Sequence, residues 1–404
     1  MTQWPGMNLS SGPVEVSEQT RRAMSRPVLY HYDPAFIDCF AHTCDLVQAV
    51  FQTRYDVVIM QGEAVLGLEA AAASLVAPGD LALNLVSGVF GKWFGTLIQH
   101  YGGELIEIEV PYNEAIDPED VRHALRSHPE IKLLSVVHSE TPSGTVNPVR
   151  EIGAIAREFG VLTVVDTVSG LGGDPFVPEE WGVDLAVTGP QKCLSGPPGL
   201  SLLSVSPAAW TAMERRQTPL RGSFLSILDW KEAWLEQRRF PATPSVSEIY
   251  ALESTLSQVL DEGMPAYNRR HAAIARACRA GVEALGLRLW PARPEIAASC
   301  VTAVLAPDGL DETALRERMR QSFGVTISGG FGDLAGRLFR LGHMGIGAHP
   351  YHLAAQLAVL ERSLADLGHP VAFGTGVGAA LAALGDWDEV SARSPADRTL
   401  AAVR

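Results

Sequence analysis

Two ionisable residues follow apolar, strand-like segments, and their side-chain types suit one kind of chemistry. Lys192 lies in "DLAVTGPQKCLSGPPGL", directly after an apolar run and among small residues and prolines. In a tight, water-poor loop a lysine amine has a lowered pKa and attacks carbonyl carbons to form a Schiff base. Asp166 ends the run "VLTVVD", where a carboxylate would lie at the mouth of a sheet and pair with a protonated ring nitrogen. Taken singly, both residues also fit ordinary turn positions.

Three further side chains near predicted strand ends suit a planar, acidic substrate. Phe90 in "SGVFGKWFG" offers a flat ring that would stack on a heterocycle, although a core aromatic fits the same pattern. Thr141 in "HSETPSGTVNP" offers a hydroxyl group, which turn chemistry also explains. Arg340 interrupts the apolar "RLFRLGHM", where it would either clamp a carboxylate or pair with a surface acid. Asp166 and Lys192 together supply the two contacts that a pyridoxal-type ring requires.

The stretch "IMQGEAVLGLEAAAASL", residues 59–75, predicts a strand that turns at a glycine into a helix of small residues. Backbone N–H groups at such a helix start commonly bind phosphate. The residue after the glycine is Glu63, which would repel a phosphate dianion by roughly 4 kcal/mol per charge pair at close range and an effective dielectric of about 20. A neutral hydroxymethyl group would instead donate a hydrogen bond to it. The alternative is a carboxylate that only complements the helix dipole.

Strand-like and helix-like segments alternate between about residues 55 and 206. This predicts an α/β fold, with a mostly parallel central sheet and helices on both faces. A long helical run at residues 248–286 opens a second region, with strand-like "LRLWPA", "CVTAVLAP", "GVTIS" and "LFRLGHM". We therefore predict an N-terminal segment (1–20), a large ligand-binding domain (21–260), a smaller C-terminal α+β domain (261–385) and a tail (386–404).

The bulk composition excludes several classes of protein. Of 404 residues, 47% are hydrophobic and 19% charged, which excludes a disordered chain, and the net charge of −14 disfavours nucleic acid and membrane partners. Five isolated cysteines and the absence of an HExxH motif predict neither a disulfide framework nor a metal site. Neither a signal peptide nor a membrane span is visible in the sequence. We therefore expect a cytoplasmic enzyme that acts on small molecules.

These segments resemble the class V aminotransferases of fold type I. The resemblance rests on "VVDTVSGLGG", "DLAVTGPQKCLSGPPGLSLLSVS", "SSGPV", "HSETPSGTVNP" and "LFRLGHMG", and it covers nearly the whole chain. It implies that Lys192 forms the Schiff base and moves the proton, while Asp166 keeps the ring nitrogen protonated. It further implies that Phe90 stacks on the ring, that Thr141 contacts the side of the 3-hydroxyl group and that Arg340 clamps the substrate's α-carboxylate.

Within the class, "GEAVLGLEAAAASL", "NLVSGVFGKWFG" and "TPSVSEI" are most similar to transaminases that consume unphosphorylated pyridoxamine. This implies transfer of an amino group from pyridoxamine to a small 2-oxo acid, pyruvate above all, to give pyridoxal and an L-amino acid such as L-alanine. Phe331 departs from the pattern because that subgroup has a second carboxylate-binding arginine there. The resemblance also implies a homodimer or a higher homo-oligomer.

The same resemblance assigns residues to the 5′ end of the vitamer and to the substrate. Relatives that use phosphate place Ser-Gly-His where this chain has Gln61-Gly62-Glu63. Gln191 and Thr243 occupy positions that contact phosphate in those relatives, and Phe240 replaces an aromatic hydroxyl contributed by their partner subunit. Gly12 of "SSGPV" is assigned to substrate binding.

Three alternatives stay open at this point. The first is an alanine–glyoxylate or serine–glyoxylate type aminotransferase that retains pyridoxal 5′-phosphate. The second is a desulfurase-type lyase, which would need a nucleophilic cysteine in a mobile loop, whereas Cys300 lies in strand-like "AASCVTAV". The third is a nicotinamide-dependent oxidoreductase, for which "GFGDLA" is followed by a strand-like segment instead of the required helix.

Overall fold

A computed structural model describes residues 6–385, 387 and 390 of the chain. The predicted tail, residues 386–404, lies almost wholly outside the described residues. The strands are β1 (Met7–Asn8), β2 (Asp56–Gln61), β3 (Leu81–Val86), β4 (Glu104–Glu109), β5 (Leu133–Val137), β6 (Ser139–Glu140), β7 (Thr145–Val146), β8 (Leu162–Asp166), β9 (Leu185–Thr188), β10 (Leu200–Val205), β11 (Val301–Leu305), β12 (Val325–Thr326), β13 (Ser328–Gly329) and β14 (Leu338–Gly342).

Helices surround these strands. They are α1 (Glu18–Met24), α2 (Pro34–Phe51), α3 (Ala64–Leu75), α4 (Val89–His100), α5 (Pro118–Ser127), α6 (Val149–Glu158), α7 (Pro178–Trp181), α8 (Pro207–Glu214), α9 (Ile227–Trp230), α10 (Val246–Glu262), α11 (Met264–Ala284), α12 (Glu312–Phe323), α13 (Pro350–Asp366) and α14 (Thr375–Leu384). A π-helical turn follows α9 (Lys231–Leu235), and 3-10 turns occur at Pro294–Ile296, Gly332–Leu334 and Gly345–Gly347.

A seven-stranded sheet in the order β2-β10-β9-β8-β5-β3-β4 forms the centre of the large domain. All adjacent pairs are parallel except those of β10, which runs antiparallel to β2 and β9. Strands β5 and β10 are buried along their whole length, as expected for strands covered on both faces. The predicted α/β class and mostly parallel sheet are confirmed.

A smaller three-stranded antiparallel sheet, β11-β14-β13, belongs to a second hydrophobic core. Helix α11 connects the two cores. Its Met264 belongs to the core of the large domain and its Ile274 to the second core. The N-terminal strand β1 pairs in parallel with β12, and Leu9 is buried in the second core. The domain boundaries predicted from the sequence stay a prediction.

The structure differs from the sequence expectation in three places. The segment after β3 forms helix α4, an element that is not among those predicted from the sequence. The predicted helix at 248–286 is broken at Gly263, whose φ of +88° separates α10 from α11. The strand-like "LRLWPA" contributes only an isolated bridge, Leu289 with Val304. The break at Gly263 is a local feature, because a positive φ favours glycine.

The carboxyl ends of β2, β3, β5, β8 and β9 lie at one edge of the large sheet because these strands run in the same direction. The loops after them carry Glu63, Phe90, Thr141, Asp166 and Lys192. The topology thus brings together residues as distant in sequence as Glu63 and Lys192, which are 129 positions apart. Ligands of open α/β sheets bind at this edge.

Within the part of the chain that the structure describes, no helix is long and apolar enough to cross a membrane. Nor do three or more His, Cys, Asp or Glu side chains of those residues cluster as metal ligands would.

Candidate active site

The Lys192 side chain reaches the N-terminal segment. Its Nζ donates a 2.8 Å hydrogen bond to the backbone carbonyl of Ser11. Among the described residues no carboxylate lies within 4.0 Å of this amine. Burial lowers the pKa of Lys192 below its ordinary value, and the nearby Arg340 charge acts in the same direction. The loop therefore makes the Lys192 amine easier to deprotonate than a solvated lysine, and its role as the Schiff-base nucleophile stays a prediction.

Gly12 lies against the same lysine. Its φ of +103° belongs to the left-handed region, and a Cβ at this position would lie only 2.5 Å from Lys192 Nζ. Only glycine combines this backbone conformation with this approach. The structure therefore brings Gly12 to the amine; its assignment to substrate binding stays a prediction.

Asp166 ends β8 with its side chain in the site. Its Oδ1 accepts a 2.9 Å hydrogen bond from the Val168 backbone N–H, whereas Oδ2 accepts none from the described residues. Burial raises the pKa of Asp166 to about 6, and the charge of Glu63 raises it further, while the Val168 hydrogen bond and Lys192 oppose the change. A cation at Oδ2 would stabilise the ionised carboxylate and offset the free-energy cost of burying its charge. The carboxylate therefore suits a protonated ring nitrogen.

Glu63 is the N-cap residue of α3, and its Oε2 accepts a 2.9 Å hydrogen bond from the Val65 N–H. Its Oε1 accepts a 2.5 Å hydrogen bond from Gln191 Nε2. This pairing assigns the Gln191 amide, because the flipped orientation would set its oxygen against a carboxylate. Glu63 thus caps the helix with one oxygen and bonds to Gln191 with the other, and its contact with a ligand stays a prediction.

Two buried side-chain acceptors near this helix start have no hydrogen-bond donor. Gln191 Oε1 and Gln61 Oε1 make no hydrogen bond to the described residues. The N–H groups of Leu66 and Gly67 are already bonded, to the Glu63 carbonyl and to Ser201 Oγ at 2.8 and 3.0 Å. A ligand group that donates hydrogen bonds would therefore satisfy oxygens that the described residues leave unpaired.

Phe90 occupies the first turn of α4 and is half-buried. Beneath it lies Glu140, a fully buried carboxyl group that sequence reasoning missed. The carboxyl oxygens of Glu140 accept hydrogen bonds from the N–H groups of Gly91 and Phe90 at 2.7 and 3.2 Å. Burial raises the pKa of Glu140 to about 8. Glu140 therefore fixes the position of Phe90 through the helix start.

Thr141 and Arg340 are joined by a hydrogen bond. Arg340 Nη1 donates to the Thr141 carbonyl at 3.0 Å and Nε donates to the Gly329 carbonyl at 2.7 Å, while Nη2 has no partner among the described residues. The Thr141 hydroxyl group bonds to Ser169 Oγ at 3.0 Å. No carboxylate of the described residues pairs with Arg340, so the alternative of a surface ion pair is wrong. Burial lowers the pKa of Arg340 to about 10.

Two residues assigned to the phosphate end lie farther away. Thr243 is exposed and lines a cavity of about 230 Å³ together with Gln61. Phe240 is buried in the aromatic core, where it stacks on Trp234 with ring centroids 5.0 Å apart. In the part of the chain described, neither contacts Lys192 or Asp166.

Sequence reasoning missed Ser11 and Ser169 as well as Glu140. Ser11 acts through its backbone carbonyl, which carries no residue-type signal. Glu140 does carry such a signal, because it is the charged residue in the small, polar turn "HSETPSGT" after an apolar strand. Cys300 is buried, with its Sγ 3.4 Å from Ser139 Oγ, and so does not resemble a nucleophile in a mobile loop.

Comparison with known proteins decides the family. The profile of the aminotransferase class-V family matches residues 15–333. The chain belongs to the class V aminotransferases. The pyridoxamine–pyruvate transaminase of Mesorhizobium japonicum is 47% identical over 380 residues, which are 94% of this chain and 97% of the relative. The resemblance predicted from the motifs is thereby confirmed.

Solved structures agree with this assignment. The crystal structure of pyridoxamine–pyruvate aminotransferase from Mesorhizobium loti matches with a TM-score of 0.92 at 47% identity, covering 95% of this chain and 97% of that one. Ureidoglycine–glyoxylate aminotransferase from Bacillus subtilis matches with a TM-score of 0.90 at 30% identity, covering 94% and 98%. The fold type I architecture is confirmed, and the chain is an aminotransferase.

Class V aminotransferases work with a pyridoxal-type group, and the two ends of this site differ in how well they fit one. At the ring end, the unpartnered Oδ2 of Asp166 and the amine of Lys192 fit a ring nitrogen and an aldehyde carbon. At the helix end, the carboxylate of Glu63 and the unpartnered oxygen of Gln191 fit a hydroxyl group and do not fit a phosphate.

The Asp166→Asn substitution is expected to stabilise the ligand-free protein at pH 7.5 by about 1 to 3 kcal/mol. In the folded protein the pKa of Asp166 is raised to about 6. The stabilisation by this carboxyl group is therefore fully present below the pKa that Asp166 has in the unfolded chain. It is lost as the pH rises through about 6. The gain should therefore shrink at pH 4.5. Urea unfolding at both pH values measures it.

Asp311→Asn is the matched control, because Asp311 Oδ1 makes the same kind of bond, to the N–H two residues later at 2.8 Å, on the surface. It should stabilise the protein at neither pH. A wild type at least as stable as Asp166→Asn at pH 7.5 would contradict the expectation.

The Gly12→Ala substitution should lower transamination more than tenfold, since its Cβ displaces the Lys192 amine. Gly79→Ala is the control: Gly79 also has a positive φ, of +82°, but nothing lies within 4 Å of its Cβ. Both variants should lose about 1 kcal/mol of unfolding free energy. Borohydride trapping of pyridoxal on Lys192, followed by mass spectrometry, should distinguish them, and equal trapping would refute the assigned contact.

Proposed function

We propose that this aminotransferase consumes unphosphorylated pyridoxamine as a substrate, transferring its amino group to a small 2-oxo acid and releasing pyridoxal and an L-amino acid. The observation that supports this most directly is the position of Glu63. Its carboxylate occupies the start of α3, where a phosphate would bind, and already accepts the Val65 N–H. The similarity to pyridoxamine–pyruvate transaminase points to the same substrate pair, with pyruvate as the first acceptor to test.

Hydrogen-bond complementarity favours a hydroxymethyl group over a phosphate at this end. A phosphate offers acceptor oxygens to Glu63 and to Gln191 Oε1, which are acceptors themselves. A hydroxyl group donates one hydrogen bond and satisfies either. A buried acceptor without a donor costs about 1 to 3 kcal/mol. The unphosphorylated vitamer would supply a donor to such an acceptor, whereas a phosphate would add further acceptors.

The charges lead to the same preference. Glu63 and Asp166 are the acidic groups near the Lys192 amine, and both act electrostatically on it or on each other. A phosphate dianion would add two negative charges next to Glu63. Pyridoxamine carries the same basic nitrogens as its phosphate ester but no phosphate, so Asp166 and Glu63 would attract it without this repulsion.

In the proposed reaction each side chain has a limited task. When bound, the pyridoxal-type ring supplies an electron sink for the carbon that loses or gains a proton. Lys192, as a neutral amine, accepts and returns that proton at Nζ. Asp166 Oδ2 holds the ring nitrogen protonated, and Phe90 covers a ring face. The unpaired Nη2 of Arg340 binds the α-carboxylate and so orients the acceptor.

We propose a homodimer as the working form, with Thr243 of each subunit near a shared entrance. Thr243 is exposed in the single chain and lines the cavity that also contains Gln61. An exposed threonine beside the helix end of the site would gain a partner on dimerisation.

The second candidate function is a glyoxylate-type aminotransferase that retains pyridoxal 5′-phosphate, and Gln191 is the residue that favours it. One of its two Nε2 hydrogens bonds to Glu63, and the other remains available to a phosphate oxygen. Absorbance and mass analysis of the purified protein decide between the two, because a tightly retained phosphorylated cofactor would refute the pyridoxamine proposal. The decisive assay compares turnover of pyridoxamine with that of pyridoxamine phosphate, using pyruvate, oxaloacetate and glyoxylate.

Glu63→Gln and Glu63→His should each raise kcat/KM for pyridoxamine phosphate relative to pyridoxamine by at least tenfold, because they remove the charge that repels phosphate. Asp117→Asn is the control: Asp117 caps α5 through a 2.9 Å bond to the Glu119 N–H, far from the site. It should leave the preference unchanged. If both Glu63 variants keep the wild-type preference for pyridoxamine over pyridoxamine phosphate, Glu63 serves only as a helix cap.

Lys192→Ala should lower kcat at least about a thousandfold, since it removes both the nucleophile and the proton carrier. Lys132→Ala is the control, as Lys132 is an exposed partner of Asp80. Single-turnover absorbance changes with pyridoxamine and pyruvate measure the effect. Normal turnover in Lys192→Ala would overturn the assignment.

A further inference from the structure

The rings of Phe90 and Phe331 form a stacked pair, called the ring pair below. Their centroids are 6.0 Å apart and their planes differ by 24°. Phe90 belongs to the large domain, whereas Phe331 belongs to the loop between β13 and the 3-10 turn of the small domain. Phe331 is 51% exposed, so much of its apolar surface is uncovered in this chain.

The loop of Phe331 also positions the carboxylate-binding arginine. The Gly329 carbonyl accepts the Arg340 Nε hydrogen bond at 2.7 Å. Phe331 is two residues farther along, a distance that the backbone spans in at most about 7 Å. A substrate whose carboxylate binds Arg340 therefore has its side chain within reach of the ring pair.

Both sides of the ring pair are fixed in place. The Phe90 side is held by the Glu140 carboxyl group through the N–H groups of Phe90 and Gly91. On the other side, Ser328 Oγ accepts hydrogen bonds from the Ser11 N–H and hydroxyl group at 2.9 and 3.0 Å. The apolar surface is thus attached to the same framework as the Lys192 amine, which bonds to Ser11.

Among the described residues, the second guanidinium beside this loop is already paired. It belongs to Arg316, which lies close to Gly329. Arg316 is already paired with Glu312, its Nε lying 2.5 Å from the carboxylate. Arg340 therefore serves a single carboxylate, and the surface beside it is aromatic.

We propose that the ring pair binds the side chain of the acceptor, and that the acceptor class is 2-oxo monocarboxylic acids with apolar side chains larger than methyl. This inference rests on the proposed function, because it assigns the second substrate of the same reaction. Burial of each added methylene against the rings strengthens binding of the reacting complex. Phe331 acts here as a specificity-determining residue and takes no part in proton transfer.

The first test holds pyridoxamine constant and varies the acceptor from pyruvate through 2-oxobutanoate and 2-oxopentanoate to 4-methyl-2-oxopentanoate, with oxaloacetate as the acidic comparison. In the wild type, kcat/KM should rise about threefold for each of the first two added methylenes, and oxaloacetate should be poorer than 2-oxobutanoate. Phe331→Ala should abolish the rise. Phe331→Arg should reverse the preference in favour of oxaloacetate.

Phe373→Ala is the matched control, because Phe373 is an exposed phenylalanine of the same domain, 62% accessible, away from the site. It should keep the wild-type dependence on chain length. A wild type that prefers pyruvate tenfold over 2-oxobutanoate would overturn the proposal. So would a Phe331→Ala variant that keeps the rise, or one that instead changes the mass of the assembled protein, because Phe331 would then serve subunit contact.

A binding measurement tests the inference without turnover. Saturated carboxylates cannot react with Lys192, so acetate, butanoate and 4-methylpentanoate report only on Arg340 and the ring pair. Isothermal titration calorimetry should show affinity rising about threefold per methylene with an increasingly negative heat-capacity change, and Phe331→Ala should remove both trends. Equal affinity across the series would overturn the proposal. If pyridoxamine supports no turnover with any acceptor while these trends hold, the pyridoxamine proposal fails and the apolar acceptor site stands.

Discussion

The burial of the Lys192 amine against a backbone carbonyl, without a carboxylate partner among the described residues, is the constraint that organises the site. The Ser11 carbonyl accepts its hydrogen bond and lowers the desolvation cost without supplying a counter-charge. The amine thus remains buried and polarised yet easily deprotonated. Gly12 must lack a side chain for the amine to lie there, and Arg340, also unpaired, adds a repulsive charge that only an anionic substrate neutralises.

Much of the fold follows from the sequence because parallel strands buried on both faces are nearly continuous apolar runs. This holds for β3, β5, β8 and β9, which are buried along all or nearly all of their length. Helix α4 is not among the elements predicted from the sequence, and it contains Gly91 and Gly95, which disfavour a helix locally. Their small size is required by contact with β3, where a Cβ at Gly91 would lie 2.8 Å from the Leu85 carbonyl and one at Gly95 would lie 2.5 Å from Asn84 Nδ2. Such requirements arise only after the chain has folded.

The residues of the candidate site also fall into those that the sequence predicts and those that it does not. Asp166, Glu63 and Lys192 were accessible to sequence reasoning because the carboxyl ends of parallel strands meet at one edge, whatever their separation along the chain. The partners that tune these residues were not accessible. Ser11 acts through its backbone, 181 positions from Lys192, and Glu140 binds N–H groups 49 and 50 positions away. The bond between Gln191 and Glu63 also joins two separate loops, so residue types alone did not reveal it.

The parallel pairing of β1 with β12 has a consequence for the biosynthesis of the protein. Ser11 bonds to Ser328, a residue 317 positions later, so the carbonyl that receives the Lys192 amine is fixed only after the small domain has been translated. Domains of a nascent chain generally fold in order from the N-terminus. The contact that holds the Lys192 amine therefore forms only after the small domain is present to fix Ser11.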